Sequence, residues 1–129
     1  MATMDLTKEN FETTVNENPM VIVDFWAPWC GPCKGFAPVY EQASEAYPGV
    51  VFAKVNTDEQ QELAGDFGIR SIPTLMVFRD KVILFQQAGA LPRTALDQVI
   101  TQVKSLDMTK VQEEIRKQSN ESKKAEARE

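Results

Sequence analysis

The chain reads as an α/β domain built on a central mixed sheet of four to five strands, with helices on both faces. Residues 21–26 form a β-branched and aromatic run broken only by Asp24, the pattern of a strand covered on both sides, and 50–55 reads as a second buried strand. Between them, apolar residues recur at helical spacing, as a parallel crossover requires. Two further apolar runs, 74–78 and 82–87, are separated only by Arg79-Asp80-Lys81, so they pair as an antiparallel hairpin. With 129 residues, 43% apolar and 26% charged, the composition suits one domain with an ordinary core and excludes collagenous, disulfide-rich and wholly disordered classes.

The elements follow in order. Leu6-Thr7 before Asn10-Phe11 predicts a helix start, with Thr7 as cap and Leu6 and Phe11 as the flanking apolar staple. That helix ends near 16–19, and the strand 21–26 follows in the sheet centre. Pro28 and Pro32 punctuate the strand's end. Phe36, Val39, Tyr40, Ala43 and Tyr47 then line one face of a helix over 34–47, with a kink expected at Pro38. After the strand 50–55, Thr57-Asp58-Glu59-Gln60 predicts a capping box opening a short helix that stops at Gly68. The hairpin comes next, and from Pro92 the residues Leu96, Val99, Ile100 and Val103 mark a final domain helix.

The tail differs in character. Residues 1–104 carry 13 acidic and 8 basic side chains, whereas 105–129 carry six of each. We therefore divide the chain into a domain, 1–104, and a charged polar extension, 105–129. In the extension, Met108, Val111 and Ile115 form a narrow stripe on one more helix capped by Thr109, with disorder expected after Ser119. The net charge of −5 argues against nucleic-acid and anionic-membrane partners, and a monomer is the default. The first twenty residues have no signal-peptide core and no Arg, and 20–29 is too short to span a bilayer, so a cytoplasmic location is expected.

Chemistry concentrates in Cys30-Gly31-Pro32-Cys33. The nucleophile in thiol–disulfide exchange is a thiolate, and Cys30 falls at a strand-to-helix junction where free amides and the helix dipole stabilise negative sulfur. Pro32 suits the opening turn, Gly31 keeps bulk off the approach, and Cys33 points inward one turn along as a resolving thiol. A zinc half-site lacks further Cys and all His; haem attachment needs His where Lys34 stands. No metal and no resident cofactor are expected. An inert buried pair is the bland alternative.

Asp24 interrupts a strand that is apolar on both faces, so burial is expected to raise its pKa and suit it to take a proton from Cys33. The alternative is a structural carboxylate paired with Lys54, which interrupts the neighbouring strand in the same way. Both can hold together, and the catalytic role is preferred because perturbed acids cluster at working sites.

The segment Val23-Asp24-Phe25-Trp26-Ala27-Pro28-Trp29-Cys30-Gly31-Pro32-Cys33-Lys34 strongly resembles the active-site segment of thioredoxins. Gly68-Ile69-Arg70-Ser71-Ile72-Pro73-Thr74 and Ala88-Gly89-Ala90 resemble two further family segments in the same order, and the likeness covers residues 5–104. It implies the thioredoxin fold and a general dithiol–disulfide oxidoreductase acting on protein disulfides, recycled by an NADPH-dependent flavin thioredoxin reductase. It also implies Cys30 as the attacking thiol, Cys33 as the resolving thiol, and Asp24 with Lys54 as a buried proton-handling pair. Pro73 is implied to be cis and to face the disulfide, with Trp29, Gly31, Pro32, Ile72, Pro73, Gly89 and Ala90 forming an apolar docking surface.

Three departures stand out. Lys81 occupies a hairpin position where many relatives have Gly, so Asp80-Lys81 is expected to use a different turn. Pro28 replaces a common acidic residue near Cys30, and the extension has no counterpart in typical members. Gly-Pro between the cysteines, rather than a His, favours reduction over a disulfide isomerase or oxidase. A binding module with redox state as its switch is the rival of a different class.

Overall fold

The computed structural model describes residues 2–127 and the side chains to Glu121. In chain order the elements are β1 (Thr3–Asp5), α1 (Phe11–Glu17), β2 (Met20–Trp26), α2 (Gly31–Ala46), β3 (Val51–Asn56) and α3 (Gln61–Asp66), followed by β4 (Thr74–Arg79), β5 (Val82–Ala88), α4 (Arg93–Ser105) and α5 (Met108–Ala127). The sheet order is β1-β3-β2-β4-β5, with β1, β3 and β2 parallel and β4 and β5 antiparallel additions. Helix α2 supplies the crossover from β2 to β3. No helix among the described residues is long and apolar enough to cross a membrane.

Strand β2 lies in the middle, and its first six residues are all buried. Alternation sends Ile22 to one face, where it packs with Phe52, Leu75, Phe36, Tyr40, Leu96 and Ile100 under α2 and α4. Val21, Val23 and Phe25 go to the other face, with Phe11, Val15, Ala53, Leu63 and Phe78 under α1 and α3. Fully buried Tyr40 links layers: its hydroxyl lies 3.0 Å from the Ile22 carbonyl and 2.7 Å from the Ala53 carbonyl. One proton serves two acceptors, so the hydroxyl ties α2 to the seam between β2 and β3.

Several boundaries differ from expectation, each for a local reason. The edge strand β1 has only three residues and no apolar alternation; it forms because the open edge of β3 offers partners, including a Leu6 N–H bond to the Lys54 carbonyl of 2.8 Å. Thr7 does not cap α1. Its amide donates to Asn10 Oδ1 at 2.7 Å, its carbonyl receives the Asn10 and Phe11 amides, and the helix opens later, while Leu6 and Phe11 do share one cluster. The box at Thr57 is not made either. The Thr57 hydroxyl donates to the Trp26 carbonyl, and Asn56 Oδ1 takes the amides of Asp58 and Glu59, so α3 begins only at Gln61.

The extension departs from the domain at a built junction. One guanidinium nitrogen of Arg79 donates to the carbonyls of Val103, Lys104 and Leu106, closing the end of α4. Asp107, not Thr109, caps α5, accepting the amides of Thr109 and Lys110. The backbone is helical to Ala127, where Lys-, Glu- and Ala-rich sequence favours helix without any core to pack on, and the last two residues of the expected disordered end lie outside the described residues.

At the β4–β5 turn both central residues have positive φ, Asp80 at 49° and Lys81 at 71°. The turn therefore has the left-handed geometry that glycine adopts most readily, and the expectation of a different turn is corrected. Strand twist imposes that geometry whatever residue is present, so Lys81 bears the strain. Lys81→Gly is expected to raise stability by about 1 kcal/mol, read as a higher urea midpoint at unchanged slope. An unchanged or lower midpoint would show that the turn is not strained.

Candidate active site

Strand β2 ends under the head of α2. After Trp26 the chain turns through Ala27 and exposed Pro28, and the Cys30 amide donates to the Ala27 carbonyl at 3.2 Å. Cys30 is the N-cap of α2, in extended conformation, with Pro32 in the opening turn. The Cys33 amide donates to Cys30 Sγ at 3.2 Å, and the Lys34 amide to the Cys30 carbonyl. The two sulfurs are bonded to each other, with Cα atoms 5.2 Å apart. One helix-start amide, that of Cys33, thus reaches the Cys30 sulfur at the positive end of the α2 dipole.

Accessibility differs from expectation. Trp29, Gly31 and Pro32 are exposed, but Cys30 is only 4% exposed and Cys33 3%. In the disulfide the sulfurs turn toward each other, and Ala27, Trp26 and Ile72 pack against them.

A second wall comes from the loop before β4. The Ile72–Pro73 bond is cis, as the resemblance implies, and the Ile72 carbonyl oxygen lies 3.8 Å from Cys30 Sγ. Pro73 itself is buried, and its carbonyl accepts the Gly89 amide at 2.8 Å, which brings exposed Gly89 and Ala90 beside the same loop. Gly89 has φ of 100°, a conformation few other residues adopt without strain.

Trp29 is 67% exposed, and its indole Nε1 donates to both carboxylate oxygens of Asp58, at 3.0 and 3.2 Å. Sequence reasoning missed Asp58 as part of this site. Its only signal was an acidic residue in a supposed helix start, and the pairing spans 29 residues of sequence.

Asp24 is 1% exposed, and its Oδ1 is buried without a hydrogen-bond partner. Burial pushes its pKa from 3.8 to about 7, with nearby Lys54 pulling the other way. Lys54 stands in register with Asp24 on β3, yet the expected ion pair is not formed; the salt bridges among the described residues are Lys8–Glu62 and Arg93–Asp97. The Lys54 ammonium lies 4.8 Å above the Trp26 ring instead. There it keeps contact with solvent while facing the π surface.

The Thioredoxin family model matches residues 2–102, which include both walls and the buried acid. The chain belongs to the thioredoxin family. A relative from Streptomyces coelicolor named as a putative thioredoxin 2 is 56% identical over 117 residues, covering 91% of this chain and 87% of its own. Among solved structures, a Plasmodium falciparum thioredoxin aligns with TM-score 0.72 and 38% identity over 78% of this chain and 97% of its own. A mutant thioredoxin from Halobacterium salinarum aligns with TM-score 0.76 and 31% identity, over 81% and 93%. Family membership together with the bonded Cys30–Cys33 pair makes the protein a dithiol–disulfide oxidoreductase, a protein-disulfide reductase of thioredoxin fold.

The raised Asp24 pKa ties stability to pH. The unfolded chain releases this proton near the ordinary carboxyl value of 3.8, whereas the folded chain keeps it up to about 7. The unfolded state then binds fewer protons, so stability falls as pH rises through that window. Asp24→Asn is expected to remove the decline and, above neutrality, to be the more stable protein by up to about 4 kcal/mol. Urea unfolding across the window checks this; a wild type with no such decline would contradict a protonated Asp24.

Proposed function

We propose that residues 1–104 form the catalytic unit of a general thioredoxin in which Cys30 attacks and Cys33 resolves. The observation that carries this assignment is the asymmetry of the pair: Cys30 Sγ caps α2 and receives the Cys33 amide, an arrangement that favours its thiolate. From the reduced protein, Cys30 thiolate attacks one sulfur of a client disulfide, forming a mixed disulfide and releasing the other client sulfur as thiolate. Cys33 then gives its proton to Asp24, and its thiolate attacks Cys30 Sγ. The second client thiolate leaves, and the Cys30–Cys33 disulfide remains. Two electrons pass to the client. Asp24 receives the proton because its carboxylate is poorly solvated, and Lys54 modulates how poorly.

Client segments dock against Trp29, Gly31, Pro32, Ile72, Gly89 and Ala90, with Pro73, expected on this surface, buried behind Ile72. Exposed Trp29 held by Asp58 and the Ile72 carbonyl beside Cys30 support this reading. An NADPH-dependent thioredoxin reductase returns the two electrons, so that the protein serves electron transport and redox homeostasis as a cytoplasmic monomer. The extension 105–129 takes no part in the chemistry.

Wild type is expected to reduce insulin with NADPH and a thioredoxin reductase, and Cys33→Ser to accumulate client adducts through Cys30. Absence of turnover together with absence of adducts would overturn the assignment of the two thiols. Asp24→Asn is expected to slow resolution at least about tenfold more than initial attack, in line with the usual size of acid–base contributions. Stopped-flow measurement of both steps decides, and equal slowing would remove Asp24 from its role.

A further inference from the structure

Three charged residues on three adjacent strands stand in one row. Asp5 of β1 pairs in register with Lys54 of β3, and Lys54 pairs in register with Asp24 of β2. In-register neighbours share a sheet face. This is the α2 face: Thr3, two residues before Asp5, donates its hydroxyl to Glu41 of α2, and Ile22, two before Asp24, packs under α2 and α4. Asp24 is buried, Lys54 half-buried and Asp5 exposed, so the row runs from interior to solvent. Asp5 and Trp26 line one cleft of about 310 Å³ at this sheet edge, together with Asn56 and Glu59, and the Lys54 ammonium rests on the Trp26 ring.

We propose that Asp5 is a positioning residue for the proton-handling pair, competing from the edge strand with Asp24 for the Lys54 ammonium. A lysine ammonium on a four-carbon stem reaches either in-register neighbour, and it is bonded to neither here. The solvated Asp5 carboxylate pulls it outward, and the Trp26 face gives it a resting place between the two. When Asp24 ionises, the ammonium has a reason to swing inward.

The other groups around Asp24 do not duplicate this. Leu75, its in-register neighbour on β4, is apolar. Burial, and next the Asp24 charge, drive the Tyr40 hydroxyl of α2 well above its ordinary pKa, so it stays neutral. Glu41 of α2 takes the Thr3 hydroxyl on Oε1 and keeps Oε2 buried without a partner, a fixed charge that Asp5 substitutions leave unchanged; Glu59 is engaged by the Asn56 side-chain amide, and the cysteines are bonded to each other. Lys54 is thus the cation through which an edge-strand charge reaches the buried acid. The sign follows: Asp5 keeps Lys54 away and adds its own repulsion, both of which hold the Asp24 proton on.

The proposal rests on the reading of Asp24 given above, and its test separates the two. Adjacent strands are about 4.8 Å apart, so the direct field of Asp5 at Asp24 accounts for about 0.3 pH unit in a water-like dielectric. In a carboxyl-carbon NMR titration, Asp5→Asn is expected to move the Asp24 midpoint down by more than that about 0.3 unit, with Asp5→Glu staying near wild type. In a Lys54→Met background the effect of Asp5→Asn is expected to shrink at least by about half. No shift, an upward shift, or a shift undiminished without Lys54 overturns the competition. Should Asp24→Asn leave resolution unslowed while Asp5→Asn still moves the midpoint through Lys54, the proton-acceptor role fails and the competition stands.

Discussion

Strand β2 is held on all four sides, and the site depends on that confinement. Its edges are taken by β3 and β4, its faces by two separate apolar clusters, and it admits one charged side chain. A strand so held cannot slip, because a shift of one residue would exchange the two faces and drive Asp24 into the α1 side of the core. The end of β2 therefore has one position, and with it the start of α2. Trp26 and Ala27 form the floor under the disulfide for the same reason.

Burying Asp24 works against folding, since one of its oxygens has neither solvent nor a protein donor. The core tolerates it because Tyr40 satisfies a neighbouring part of the same seam, and because the carboxyl can stay neutral below about pH 7. An ion pair with Lys54 would have been the stabilising solution. Its absence leaves burial to dominate, and the acid titrates at about 7 rather than in the ordinary carboxyl range.

Legibility in the sequence follows the range of the interactions. The central strands, the hairpin and the Cys30–Cys33 pair at a helix head rest on neighbours in the chain, and each is readable from local pattern. Asp24 is readable because a lone charge in an apolar run contradicts its surroundings. Strand β1 is not, for its three residues carry no periodicity and owe their form to an open edge some fifty residues away in sequence. Caps are misread where a second polar residue competes: Asn10 and Asn56 accept amides in the turns before α1 and α3, which open without a side-chain cap, and Asp107 displaces Thr109. Lys54 falls on the expected strand but takes a different partner, because the choice between a carboxylate and an indole face depends on where solvent reaches. Cys30 reads as a surface thiol, and the bonded pair instead sits beneath its exposed neighbours.

Arg79 pairs in register with Met20, the first residue of β2, while Cys30 lies four residues beyond the last, Trp26. The guanidinium grip on the end of α4 thus lies about 20 Å of strand away from the disulfide. Gln112 and Arg116 on the opening turns of α5 border the same end, beside Asp80. A cargo, bead or fusion partner joined through this appendage would hang from the pole that does no chemistry, leaving the sulfur end free to meet clients of any bulk.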